Sequence, residues 1–258
     1  MNFLEAMFSL KGKTAIVTGA SGGLGRHIST SLIESGAQVV LADIDKSGLS
    51  SLIDELESKN LKASKYVLDL TEKTEIVKFV AHIKEKYGKI DILINNAGVT
   101  YPHSFFEYPE KAWDMTYKIN LWAPYELSRK VAEVMKENNS GSIINITSLN
   151  AELAFPNNPA YVTFKGALKQ LSKSMALELG KYNIRVNNVG PGYMKTEMTK
   201  KSWSDPVIHE ERKNKTVLNR WGTPEDLAGP IVFLASDASG YVTGQDIYVD
   251  GGWLIKGL

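Results

Sequence analysis

Cysteine is absent from the 258 residues, which removes disulfides, thiol nucleophiles and thiolate-held zinc or iron–sulfur centres together. The 4 histidines, His27, His82, His103 and His209, stand far apart without an HExxH spacing, so no metal site is expected. An excess of either charge is also missing: 30 Lys and Arg against 29 Asp and Glu leave +1. That balance gives no footprint for nucleic acid or an anionic membrane surface, and neither is expected as a partner. No stretch approaches the ~18 consecutive apolar residues of a membrane span; the apolar runs are about five or six long. Met1–Leu10 has no basic leader and Glu5 interrupts its apolar character, so the expected location is cytoplasmic. Low-complexity linkers, charge blocks and long repeats are lacking as well, and residues 1–258 read as one domain.

What is present is an ordinary folded composition, 43% hydrophobic and 23% charged. Short β-branched runs alternate with longer amphipathic segments, the signature of repeated strand–helix–strand units. Strands are expected at Thr14–Thr18, Gln38–Asp43, Ala63–Val67, Ile90–Asn95, Gly141–Ile146, Arg185–Val189 and Asp246–Val249. Most are apolar on both faces, as a parallel sheet covered by helices on each side requires. The helices between them are expected at about Gly23–Ser35, Lys46–Lys59, Thr71–Tyr87, Ala112–Lys136, Pro159–Lys181 and Thr223–Leu234. Gly36 and Gly88 suit positions just past helix ends, and Thr223-Pro224-Glu225-Asp226 reads as a helix start. The fold class is α/β, a doubly wound seven-stranded parallel sheet flanked by helices. Residues 192–217 are polar, lysine-rich and without clean periodicity, and read as an insertion covering a substrate.

The first strand runs into Thr18-Gly19-Ala20-Ser21-Gly22-Gly23-Leu24-Gly25, where a helical pattern begins. Glycines there let a pyrophosphate reach the helix N-terminus, whose free amides and dipole attract it; a plain strand-to-helix turn can carry the same glycines. Asp43 ends the second strand, 18 residues past Gly25, where a carboxylate accepts from both ribose hydroxyls of an adenosine and repels a 2′-phosphate. Neither Ser21 nor Gly22 is basic, and no Lys or Arg follows Asp43 until Lys46, so NAD is favoured over NADP. Tyr161 and Lys165 lie four residues apart on one helical face. A phenol titrating near ~10 needs its anion stabilised to exchange protons near neutrality, and an adjacent ammonium supplies that.

These elements together resemble the short-chain dehydrogenase/reductase family: Thr18–Gly25, Asn95-Asn96-Ala97-Gly98, Asn120, Ser148, Tyr161-x-x-x-Lys165 and Pro191-Gly192, in that order over nearly the whole chain. The resemblance implies a Rossmann-type fold and hydride exchange between a nicotinamide cofactor and a secondary alcohol or ketone. It implies that Tyr161 is the general acid/base, that Ser148 hydrogen-bonds the substrate oxygen, and that Lys165 holds the nicotinamide ribose while acidifying Tyr161. Asn120 would complete a proton relay. Cofactor contacts implied in the same way are Gly19, Ser21, Gly23, Leu24, Gly25, Asp43, Asp69, Leu70, Asn96, Ala97, Gly98, Tyr161, Lys165, Pro191, Gly192, Met194 and Thr196.

Within the family, Phe8–Lys13, Pro191-Gly192-Tyr193-Met194 and Arg220-Trp221-Gly222 through Trp253 resemble gluconate 5-dehydrogenase and 2-deoxy-gluconate 3-dehydrogenase, so the expected substrate is a sugar acid or polyol. The loop Val99-Thr100-Tyr101-Pro102-His103 carries no arginine for a substrate carboxylate; Lys195, Lys200, Lys201 and His103 are the candidates to replace one. Two rivals stand beside this reading, an NADPH-dependent 3-oxoacyl carrier-protein reductase and a catalytically silent nucleotide-binding scaffold of the same fold. Asp43 and the balanced charge oppose the first; Ser148, Tyr161 and Lys165 together oppose the second. The resemblance also implies a homotetramer, with Phe233, Trp253, Leu254 and Ile255 as late apolar residues available to an interface.

Overall fold

The computed structural model describes residues 2–256. One parallel sheet of 7 strands holds β1 Thr14–Thr18, β2 Gln38–Asp43, β3 Ser64–Val67, β4 Ile92–Asn95, β5 Gly141–Ile146, β6 Ile184–Pro191 and β7 Asp246–Val249, ordered β3-β2-β1-β4-β5-β6-β7. The helices are α1 Phe3–Phe8, α2 Gly23–Glu34, α3 Lys46–Ser58, α4 Lys73–Tyr87, α5 Glu110–Tyr117, α6 Ala123–Glu137, α7 Pro159–Leu179, α8 Lys200–Trp203, α9 Pro206–Asn214, α10 Ala228–Ala235 and α11 Trp253–Lys256. From β1 the chain winds outward to β3, then returns to set β4 against the other edge of β1 and winds outward again. The connections leaving β1 and β4 therefore part in opposite directions and open a crevice at the carboxyl ends of these strands.

Side chains alternate across the sheet, and each face has its own core. Ala15 and Val17 of β1 join Leu32, Leu52 and Leu234 on one face; Ile16 joins Phe79, Leu127 and Met135 on the other. Between these apolar layers runs a polar row. Asn95, Asn145, Asn188 and Asp246 are successive register partners across β4 to β7. Asn95 Nδ2 donates to Asn145 Oδ1 at 2.7 Å, Asn145 Nδ2 to Ser172 Oγ at 2.8 Å, and Asn188 Nδ2 to Asp246 Oδ1 at 2.7 Å. A one-residue slip would leave these buried amides without partners, so the row fixes the register close to the carboxyl ends.

The structure revises several element boundaries. The segment expected as one helix over 112–136 is three pieces, α5, a π-helical turn at Lys118–Trp122, and α6. Pro124 is the cause: it has no N–H to give the Asn120 carbonyl in an α-helical pattern, and Ala123 N instead reaches back to Lys118 O. At Thr223–Leu234 a 3₁₀ turn over Pro224–Leu227 precedes α10, because Pro230 cannot donate to the Asp226 carbonyl. α1, which the sequence pattern did not indicate, is capped by Asn2 Oδ1 accepting from Glu5 N at 2.9 Å. Residues 192–217 contain α8 and α9 where irregular chain was expected. Among the described residues no helix is long and apolar enough to cross a membrane.

Candidate active site

A cleft of about 780 Å³ opens at the carboxyl ends of the strands. The β1–α2 turn forms one end. Gly19 has φ +62, and a Cβ there would lie 2.8 Å from Ala97 Cα, so the turn closes tightly on the β4 loop. Asn96 staples it, Nδ2 donating to Thr18 O at 2.9 Å and Gly19 O at 3.0 Å. Gly19, Ser21, Gly23 and Leu24 line the cleft. Gly25 lies behind them, where any side chain would strike Gly19 O, so it sets how closely α2 approaches the turn. Gly22 also lines the cleft, and a Cβ on it would meet nothing within 4 Å. An open cradle at the start of a twelve-residue helix suits an anionic phosphate group.

Asp43, at the end of β2, faces this cradle. Its Oδ2 accepts from Ser21 N at 3.0 Å and Ser21 Oγ at 2.8 Å, while Oδ1 accepts from Asp45 N at 3.0 Å. Oδ2 thus accepts twice, while Oδ1 keeps a lone pair for a ribose hydroxyl. Asp69 and Leu70 line the adjoining wall, Asp69 Oδ1 accepting from Thr71 N and Oγ1, both at 2.8 Å. Asn96, Ala97 and Gly98 form the floor; Pro191, Gly192, Met194 and Thr196 form the facing wall after β6.

The reactive group stands midway. Ser148 follows β5, and Tyr161 and Lys165 come from the first two turns of α7; all three line the cleft. Lys165 is buried, its Nζ 2.6 Å from Ile146 O and 5.6 Å from the Tyr161 ring centroid. Asn120 is fully buried on the far side of Gly98, its amide closed on Val99, accepting from Val99 N at 2.9 Å and donating to Val99 O at 2.8 Å. A Cβ on Gly98 would sit 3.5 Å from Asn120 Oδ1 and 3.6 Å from Lys165 Nζ, which places both side chains around this one backbone position.

The electrostatics correct one expectation. Burial, rather than Lys165, dominates the Tyr161 phenol and pushes it above its ordinary value; a contact with the Ser148 hydroxyl opposes the rise and Tyr193 adds to it. Burial also lowers the Lys165 amine to about 8. The raised phenol is protonated at neutral pH, the form that a carbonyl oxygen needs as its acid, and the phenolate that forms as pH rises is the base that takes a proton from an alcohol.

The four residues expected to meet a substrate carboxylate lie elsewhere. Lys195, Lys200, Lys201 and His103 are exposed and outside the cleft wall, and Lys200 pairs with Glu197 at 3.1 Å. The wall instead contains Phe155, Tyr193 and Arg212. Sequence reading missed Arg212 because α9 carries no apolar period strong enough to mark it as an element, and Phe155 and Tyr193 because they lie in loops after β5 and β6.

The sequence comparisons agree with this geometry. A family model described as Enoyl-(Acyl carrier protein) reductase matches residues 19–254. The chain belongs to the short-chain dehydrogenase/reductase family. It is 38% identical over 252 residues to the 5-keto-D-gluconate 5-reductase of Escherichia coli K12, covering 98% of this chain and 99% of that one. With the gluconate 5-dehydrogenase of Gluconobacter oxydans it shares 40% over 246 residues, 95% of this chain and 96% of the relative. The solved gluconate 5-dehydrogenase of Burkholderia cenocepacia, in complex with NADP and tartrate, superposes with a TM-score of 0.93 at 31% identity, over 97% and 98% of the two chains. As a short-chain dehydrogenase/reductase, the chain is an oxidoreductase that acts on CH–OH groups with a nicotinamide cofactor.

Proposed function

We propose that this short-chain dehydrogenase/reductase interconverts a secondary hydroxyl and ketone of a sugar acid or related polyol, with NAD preferred over NADP. The observation that carries the reading is the convergence of Ser148, Tyr161 and Lys165 on one cleft whose other end holds Asp43 and an open glycine cradle. A bound nicotinamide dinucleotide supplies the hydride exchange. Tyr161 Oη exchanges the proton with the substrate oxygen, and Ser148 Oγ donates a hydrogen bond to that oxygen as its charge develops. Lys165 holds the nicotinamide ribose and Asn120 holds the β4 loop beside it. Asp43 accepts from the adenosine ribose and disfavours a 2′-phosphate at that position. Residues 192–217, which supply Tyr193, Thr196 and Arg212 to the wall, cover the substrate. The proposed setting is a cytoplasmic homotetramer.

Incubating the protein with a panel of sugar acids, polyols and simple secondary alcohols, and following NADH formation, tests the reading. Turnover confined to simple alcohols, or to NADP, would overturn it.

A further inference from the structure

Two basic side chains line the cleft, Lys165 and Arg212. Lys165 gives one donor to the Ile146 carbonyl and is assigned above to the nicotinamide ribose. Arg212 has no such commitment: its Nε is sealed from solvent with no acceptor among the described residues. Its neighbours on the same segment are neutralised locally, Lys213 by Glu210 and Lys215 by Glu211. A buried guanidinium N–H without an acceptor is unfavourable until one arrives.

The guanidinium is also held in place. Its central carbon lies 4.5 Å from the Tyr193 ring centroid and 5.8 Å from that of Phe155. Tyr193 is itself stacked on Trp253 at 5.0 Å and meets Trp221 edge-on at 5.5 Å. α9 is anchored at its start by Asp205 Oδ1, which accepts from Val207 N and Ile208 N, and along its length by Trp221 Nε1 donating to His209 O at 3.0 Å. Tyr193 thus contacts Arg212 and is close enough to the Tyr161 phenol to raise it, and all three line the one cleft.

We propose that Arg212 binds the carboxylate of the substrate, and that this pairing selects sugar acids over neutral polyols. The proposal rests on the dehydrogenase reading above and adds its specificity residue. A guanidinium offers parallel donors matched to the two oxygens of a carboxylate, which an ammonium does not.

The test compares kcat/KM for each sugar acid with that for the polyol of the same carbon skeleton, beginning with D-gluconate against D-glucitol. Wild type, Arg212→Met and Arg212→Lys are measured with the same cofactor, and NADH binding by fluorescence confirms that each variant is folded. We expect the wild type to favour the acid, and Arg212→Met to reduce the acid-to-polyol ratio by ~10²-fold, mainly through KM, as loss of a charged hydrogen bond requires. Arg212→Lys should fall between them. An unchanged ratio in a folded Arg212→Met would overturn the role of Arg212 and leave the dehydrogenase reading standing. A wild type that turns over polyols and acids without preference would overturn both the carboxylate site and the sugar-acid assignment.

Discussion

Lys165 Nζ donates to the Ile146 carbonyl at 2.6 Å, which fixes an almost fully buried amine at the end of β5. Burial holds that amine at about 8, below its ordinary 10.5. Between these values the unfolded chain keeps a proton that the folded chain releases, so the stability attributable to Lys165 rises with pH in that window and is at its lowest below it. Urea unfolding of the ligand-free protein and of Lys165→Met, at several pH values, measures the effect. The difference, wild type minus variant, should climb by about 1 kcal/mol per pH unit from pH 8 to pH 10. A flat difference would mean that the amine titrates at its ordinary value.

Asp43 and Ser21 form a second such pair, since one carboxylate oxygen takes both the N–H and the hydroxyl of Ser21. The carboxylate is thereby aimed across the cradle, where a 2′-phosphate would meet like charge. NAD should exceed NADP in kcat/KM by ~10²-fold, equivalent to ~2.7 kcal/mol. Asp43→Ala should erode that preference while leaving NAD turnover measurable. Equal or better wild-type turnover with NADP would refute the assignment.

The seven parallel strands and the turn after β1 were legible because β-branched runs and glycine turns are local signals that survive folding. So were Tyr161 and Lys165, whose four-residue spacing puts them on one helix face wherever that helix packs. The kinks were less visible: Pro124 and Pro230 were in plain sight, yet whether a proline ends a helix or bends it depends on what the following turn packs against. The electrostatics of Tyr161 could not be read from spacing, because desolvation is set by surrounding elements distant in sequence. Arg212 was hidden for the same reason. Its role comes from Tyr193 and Phe155, 19 and 57 residues earlier in the chain, and α9 looked like a solvated polar segment.

Assembly tests what remains of the exposed apolar surface. Trp253, expected at an interface, is 5% exposed and packs within its own chain against Tyr193 and Phe155, and Phe233 packs against the core. Ile255 at 85% and Leu177 at 86% remain open to solvent. We predict a homotetramer of dihedral symmetry, seen by light scattering as four times the chain mass at micromolar concentration. A monomer mass under those conditions would sink the prediction.

Tyr161→Phe isolates the chemical step, because it keeps the ring, α7 and the nucleotide cradle while removing the oxygen that exchanges the proton. NADH should bind as in the wild type, and kcat should fall by the ~10²–10⁴-fold typical of a lost acid/base. Lys165→Ala should differ in kind, weakening nucleotide affinity and rate together. The raised phenol also fixes a sign for the wild type. Oxidation needs the phenol to accept a proton, so its kcat/KM should rise with pH across the neutral and alkaline range. Reduction needs the protonated phenol, and its kcat/KM should hold steady over the same range before falling at the alkaline end. If Tyr161→Phe oxidised a good substrate at near the wild-type rate, or if both directions shared one pH profile, proton exchange would have to be assigned to another group in the cleft.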